Sequence, residues 1–282
     1  MRITGLWRYP VKSMGGEALQ SIAVDQWGLL GDRVWAVKDK GLNSIQAAKK
    51  SPVLMQCSAR FEQKPSSTAR SSKVAIRLPE GHEVQSGEPD TDAALSTLLG
   101  RPVELSPIIE PQSAFKRKPP PPGTDVQAYL RDMFARTDDE PLPDLSGFPA
   151  DVMAYEAPPG TWFDAYPILL MTKQSFSALS AARAESSFDV RRFRPNILID
   201  AGGSGYVENS WVGKRLRIGD AVLAIELACP RCIMTTHPVD ELPKDPKIMR
   251  TLVQQNGGNA GVYARVVTPG VIRQGDVCAL EL

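Results

Sequence analysis

Residues 221–236 read Ala-Val-Leu-Ala-Ile-Glu-Leu-Ala-Cys-Pro-Arg-Cys-Ile-Met-Thr-Thr, a strand-like run, Ala221–Ala228, that ends directly in a Cys-x-x-Cys step. Similar short runs recur on both sides, at Pro167–Met171, Pro195–Ala201, Arg215–Ile218, Gly261–Val267 and Asp276–Leu282. Each is bounded and composed like a β-strand. Helical spacing interrupts them at Thr172–Ala182, with Thr172 as N-cap, and near Pro246–Gln255. Further towards the N-terminus the pattern continues with Arg2–Arg8, Ser21–Val24, Arg33–Lys38, Gln56–Phe61, Val74–Leu78 and Val103–Ser106. Turn signals such as Gly15-Gly16 and the polar stretch Lys64–Lys73 separate these runs, and one helix fits Thr91–Leu99 with Asp90 or Thr91 as its cap. Many short strands and few helices predict a mostly β (α+β) chain of barrel-like architecture. The 24 prolines among 282 residues agree, because proline breaks long helices.

The character changes across residues 107–150. Lys116-Arg117-Lys118 runs into Pro119–Pro122, and a Pro- and acid-rich stretch comes next, broken by the helix-like Asp125–Ala135. This segment reads as a Pro-rich connector or flap between a domain at 1–106 and another at 151–282. The length suits two domains. Lys plus Arg number 33 against 32 Asp plus Glu, a formal net charge of +1, which gives no global reason to expect nucleic acid or an anionic membrane. Any anion site must be local. No apolar run is long enough to span a membrane, and the start, MRITGLWRYPVKS, lacks a signal-peptide core, so the expected compartment is cytoplasmic. Four cysteines are too few for a disulfide framework. The two histidines, His82 and His237, leave little room for histidine-based metal or acid–base chemistry.

Three groups of residues can carry chemistry. Cys229-Pro230-Arg231-Cys232 lacks the second Cys pair of a structural zinc site, and the succeeding Ile233–His237 reads as extended chain or turn, not the helix of a thioredoxin-type motif. A buried structural pair, a metal ligand and a nucleophile all remain open. The second group is basic and polar: Tyr9-Pro10-Val11-Lys12-Ser13, Asp32-Arg33-Val34-Trp35 and Phe193-Arg194-Pro195-Asn196, whose Lys, Ser, Arg and Asn side chains suit a phosphate and a heterocycle edge. Singly each is ordinary surface charge; together they suggest a site. The third, Gly202-Gly203-Ser204-Gly205, lacks the Gly-Lys-Ser/Thr of a P-loop and reads as a turn.

YPVKS, GDRVWAV (Gly31–Val37), RRFRPNILID (Arg191–Asp200), ENSWVG (Glu208–Gly213) and ACPRCIMTT (Ala228–Thr236), in this order, resemble the MOSC superfamily of molybdenum cofactor proteins. The branch most similar joins an N-terminal MOSC-associated β-barrel domain to the MOSC domain, as in the mitochondrial amidoxime-reducing component and its bacterial relatives. The resemblance implies a molybdopterin-type cofactor whose molybdenum takes a third sulfur from a protein cysteine, a soft ligand suited to that metal. In that family's pattern the ligand precedes the aliphatic pair, here Cys232 before Ile233-Met234. An odd offset in a strand-like segment would turn Cys229 to the opposite face, and the same alternation would keep Arg231 from turning inward. Lys12, Ser13, Arg33, Arg194 and Asn196 match cofactor-holding positions; Thr172 and Ser175 match a hydroxyl-bearing segment, and Tyr263 is placed along the site.

The activity implied is reduction of an N-oxygenated (N-hydroxylated) compound, with electrons from a separate donor protein of reductase, ferredoxin or cytochrome type. The C-terminal ferredoxin-like domain of some bacterial relatives has no counterpart before Leu282, so no iron–sulfur cluster is expected in this chain. Two departures stand out. His237-Pro238-Val239-Asp240-Glu241 replaces the relatives' Asp-Pro-x-Thr-Gly, and Ala47-Ala48-Lys49 replaces Thr-x-Arg. His237, the one side chain near Cys232 with an ordinary pKa close to neutrality, is therefore either a candidate proton donor to the departing oxygen or a surface loop histidine fixed by Pro238. The alternative from a different class is a molybdenum cofactor or sulfur carrier using a Cys232 persulfide.

Overall fold

Alternation along the strand Ala221–Pro230 buries Ala221, Leu223 and Ile225 on one face, against Val262 and Ala264 of the neighbouring strand Asn259–Thr268. A computed structural model describes residues 1–108, 113–120 and 122–281. Pro121 of the expected polyproline stretch, residues 109–112 of the expected connector and Leu282 of the last expected strand lie outside the described residues. The two strands sit inside an eight-stranded, half-barrel sheet, which runs from Cys278–Glu281 through Arg215–Ile218, Ala221–Pro230, Asn259–Thr268, Ile168–Thr172, Ile197–Asp200 and Arg2–Arg8 to Glu17–Ala18. All neighbours are antiparallel except Ile168–Thr172 beside Ile197–Asp200. A parallel pair needs a crossover, and the helix Lys173–Ala182 lies within it.

The two halves of the chain are interleaved. Strand Arg2–Arg8 pairs with Ile197–Asp200, and Ser21–Asp25 pairs with Gly270–Arg273. Ile3, Leu6, Ile22, Val24 and Leu29 accordingly share one core with Ile168, Leu170, Ile197, Ile199 and Leu216. A second core holds Val11, Met14, Val37, Leu54, Val74, Ile76, Leu95 and Val103. It is built from the sheets Val103–Pro107/Trp35–Asp39/Ser44–Ile45 and Ser58–Phe61/Val74–Arg77/Glu83–Gln85, with the helix Pro89–Leu99. The segment after Arg8 leaves the first core and enters the second, burying Val11 and Met14 there. Lys12 and Ser13 are thereby held at the seam.

The architecture agrees with the sequence reading: mostly β, with six short α-helices among the described residues. The differences are local. The strand from Ala221 continues through Cys229 to Pro230, with a bulge before its end. Ile233–Thr236 is a 3-10 turn with Cys232 at its N-cap. Short helical turns form at Ala150–Ala154 and Val190–Phe193, where the sequence pattern predicts none. Asp125 caps the helix Val126–Phe134 by accepting from the Ala128 N–H. The chain beyond that helix is docked: Phe134 and Arg136 are buried, and Arg250 pairs with Glu140. Arg136 lies against Gly258, which has φ +83°; a Cβ there would sit 1.8 Å from the guanidinium, so only glycine fits.

Candidate functional site

Two guanidinium groups lie over one phenol ring at the seam. The Arg194 and Arg33 groups are 4.1 and 5.2 Å from the centroid of Tyr9. Tyr9 donates its hydroxyl to the Pro195 carbonyl at 3.0 Å and its N–H to Asp32 at 2.7 Å, while Arg33 N–H donates to the Tyr9 carbonyl at 2.7 Å. Arg33 pairs with Asp32, and Arg194 donates to the Met14 carbonyl. Ser13, Arg33 and Arg194 all adopt left-handed backbone conformations, with φ of 71°, 46° and 57°. Each such residue is strained by about 1 kcal/mol or more, and strain of this kind concentrates at functional sites.

Lys12 is 2% exposed and donates to the Trp162 carbonyl at 2.8 Å and to Asp164 Oδ1 at 2.9 Å. Asp164 keeps 57% of its side chain open to water, so the pair stands at the surface end of the buried Lys12. Burial would raise its pKa, but Lys12, Lys49 and Arg33 outweigh this and hold it well below the usual carboxylate range. Burial lowers the Lys12 pKa in spite of Asp164. For Arg194, burial first and Arg33 second push the pKa down to about 10, still charged at neutral pH. Ser13 Oγ accepts from the Ala48 N–H at 2.9 Å and so fixes the loop that carries Lys49.

Cys232 faces this charge. Its thiol is half-buried, and burial raises its pKa although the Met234 N–H, Lys49 and Arg231 all favour the thiolate. Cys229 is 1% exposed and belongs to the wall. The expectation that Arg231 points away from the interior is overturned. Arg231 is buried, donating to Cys229 Sγ at 3.1 Å and to the Phe193 carbonyl at 2.7 Å. The bulge and strand end at Pro230 break the alternation on which that expectation rested. Tyr263, its pKa raised by burial and then by Cys229, stacks on Tyr166 at 5.4 Å and meets Phe148 edge-on at 6.2 Å.

The structure brings together Lys12, Ser13, Arg33, Arg194 and Cys232, with Tyr263 on the Cys229 side. Asn196 is present but fully engaged: Oδ1 accepts from Leu169 N–H at 3.1 Å and from Arg33 at 3.4 Å, and Nδ2 donates to the Trp7 carbonyl at 3.3 Å. Its work is to tie strands together and steady Arg33. Thr172 and Ser175 lie elsewhere; each hydroxyl donates to the fully buried Glu208 at 2.6 Å, and Thr172 caps its helix. His237 closes the 3-10 turn that follows Cys232. It is 5% exposed, its carbonyl accepts from Arg192 at 2.7 Å, and burial together with Lys244, in that order of weight, lowers its pKa, which leaves the ring neutral near pH 7.

Sequence reading missed Asp164 and undervalued Tyr9 and Lys49. No motif marked Asp164, whereas Tyr9 stood in the quoted YPVKS and Lys49 in a noted departure. Among the described residues, no three His, Cys, Asp or Glu side chains gather to hold a metal ion by themselves. Five cationic side chains (Lys12, Arg33, Lys49, Arg194, Arg231) act here with two carboxylates, Asp32 and Asp164. Arg194 Nη2 and Arg231 Nε are buried without a protein partner. This donor set and its excess positive charge fit an anionic, phosphate-bearing group beside a single protein thiol.

Family models place the class: the chain carries a MOSC domain, matched over residues 160–279, and a MOSC N-terminal beta barrel domain, matched over residues 1–99. Within that class it is similar to mitochondrial amidoxime-reducing components. It is 27% identical to component 1 of Mus musculus over 97% of this chain and 80% of that protein. Identity to component 2 of Bos taurus is 26% over 84% of this chain and 67% of that protein. A crystal structure of the YUAD protein from Bacillus subtilis aligns with 99% of this chain and 94% of that one at TM-score 0.46 and 11% identity. No helix among the described residues is long and apolar enough to cross a membrane.

Proposed function

We propose that the chain is a molybdenum-cofactor oxidoreductase that reduces N-oxygenated, chiefly N-hydroxylated, compounds. The observation that carries this reading is the convergence of buried, under-partnered cations on one half-open thiol, in a chain similar to amidoxime-reducing components. Lys12, Arg33 and Arg194 would hold the phosphate and pterin, with Ser13 donating its hydroxyl and Asn196 steadying Arg33. Cys232 would be the protein ligand to molybdenum. When bound, the cofactor supplies a two-electron couple able to take oxygen from the substrate.

The residues do the rest by placement. Arg231 holds Cys229 in the wall, so that the thiol at the turn is the one presented. Binding as a ligand requires Cys232 to lose the proton that burial favours, and Lys49 and Arg231 ease that loss. Asp164, open to solvent, pairs with Lys12 and would hold that ammonium in place. In balance, the N–O bond breaks, two electrons come from a separate donor protein, two protons come from solvent, and the oxygen leaves as water.

The test is molybdenum content and turnover of the full chain made in a cofactor-competent host, with a chemical reductant and an N-hydroxylated substrate. We expect about one molybdenum per chain and reduction that Cys232→Ser abolishes and Cys229→Ser largely keeps. X-ray absorption should show one sulfur fewer at molybdenum in Cys232→Ser. An unchanged sulfur count would overturn the ligand assignment. Bound molybdenum without turnover would favour the carrier function.

A further inference from the structure

Arg33 and Arg194 carry like charges and reach the same place from two distant loops. Both loops are strained at these residues, and backbone bonds from Arg33 N–H to the Tyr9 carbonyl and from Trp7 N–H to the Asn196 carbonyl draw the loops close without fixing the two side chains. The element between them is Tyr9. Its hydroxyl grips the carbonyl beside Arg194, its N–H grips the carboxylate beside Arg33, and its ring lies beneath both guanidinium groups. The ring is almost wholly buried, so water does not screen its face. Burial dominates the other influences on the Tyr9 hydroxyl and raises its pKa, so the phenol stays neutral and the ring acts only as a quadrupole.

We infer that Tyr9 is a positioning residue: its aromatic face holds Arg33 and Arg194 side by side against their mutual repulsion, preforming a two-guanidinium clamp for one phosphate group. This rests on reading the seam as an anion cradle and goes beyond it, because Tyr9 need not touch the anion. A buried Arg194 Nη2 without a protein partner, while Nη1 is tied to Met14, is what such a clamp presents. An aromatic face under a desolvated cation stabilises it, most for electron-rich rings. A leucine keeps an apolar side chain there without the ring face and leaves the two charges to separate.

The test uses the full-length chain prepared without cofactor and inorganic pyrophosphate as probe, measured by isothermal titration. Position 9 is varied as Tyr, Phe, mono-, di- and trifluoro-Phe, and Leu. The fluorinated rings keep shape while draining charge from the ring face, so folding is not at issue within that series. We expect Tyr9→Phe to bind within about twofold of the parent, affinity to fall stepwise with fluorination, and Tyr9→Leu to bind about tenfold more weakly. A flat fluorination series overturns the inference, as does loss in Tyr9→Phe equal to that in Tyr9→Leu, which would assign the effect to the Pro195 hydrogen bond. Failure of the parent to bind pyrophosphate also overturns it. Molybdenum content of the parent is read separately: a graded series with no molybdenum would sink the proposed function and leave the clamp, whereas molybdenum with a flat series does the reverse.

Discussion

Replacing Lys12 by Met separates the site's function from its stability. The Nζ at 2.9 Å from Asp164 gains a Coulomb attraction of about 6 kcal/mol at an effective dielectric of ~20. Against this stands the cost of burying an ammonium at 2% exposure, several kcal/mol even after relaxation. Asp164, with 57% of its side chain open, rehydrates when its partner goes, so little of the usual penalty for an abandoned buried charge applies. Methionine keeps most of the stem's packing, and only the Trp162 carbonyl at 2.8 Å loses its donor. The terms nearly cancel, and we expect a stability change within about 1–2 kcal/mol, read as the shift of the denaturant midpoint at constant slope. Anion holding has no such compensation. Loss of one charge-assisted bond costs about 1.5–3 kcal/mol, a reduction of roughly 10- to 150-fold in affinity. Molybdenum and phosphate per chain after dialysis, together with pyrophosphate titration of the cofactor-free protein, measure this. A Lys12→Met protein that unfolds several kcal/mol more easily yet retains full occupancy would refute the reasoning, because Lys12 would then be a structural ion-pair partner.

Other perturbations have equally definite outcomes. Burial and Lys244 lower the His237 pKa, so His237→Gln should leave the pH–rate profile unchanged above about pH 7; loss of a limb of that profile there would assign it a proton-transfer role. Arg191 pairs with Asp189, Asp240 and Glu241, and it holds the Glu241 pKa at about 2, below the ordinary 4.5. A depressed carboxylate stabilises above its unfolded pKa and loses that contribution as pH falls through the folded one. Amide protection factors at Val239–Leu242, which divide out the intrinsic pH dependence of exchange, should therefore hold down to about pH 4.5 and fall towards pH 2, and Arg191→Ala should be weakly protected throughout; equal protection in both proteins would contradict the clasp. Gly258→Ala puts a methyl group 1.8 Å from the Arg136 guanidinium at φ +83°. It should cost about 2 kcal/mol or more and expose the 134–141 segment to limited proteolysis, whereas an unchanged digestion pattern would show that the docking does not depend on this contact.

The sequence by itself determined the mostly β architecture, because strand identity rests on local alternation and turn residues that survive in any context. Arg2–Arg8 and Arg215–Ile218 appear as read, and Thr172 caps its helix as read, whereas the helix expected to be capped by Asp90 or Thr91 starts at Pro89 with Glu88 at its N-cap. It also marked the cationic loops and the Cys-x-x-Cys step, whose residue types state their chemistry wherever they fall. Tertiary structure decided which of these meet. Strand Arg2–Arg8 joins the C-terminal sheet because its alternate apolar residues complete that core, and no local pattern encodes a pairing as remote as Ile3 with Ile199. That pairing sets Lys12 and Tyr9 beside Arg194. A bulge near Pro230 turned Arg231 inward, and Glu208 drew Thr172 and Ser175 away to a buried network. Asp164, an unremarkable residue in the sequence, acquires its place only because the folded seam packs it against three cations.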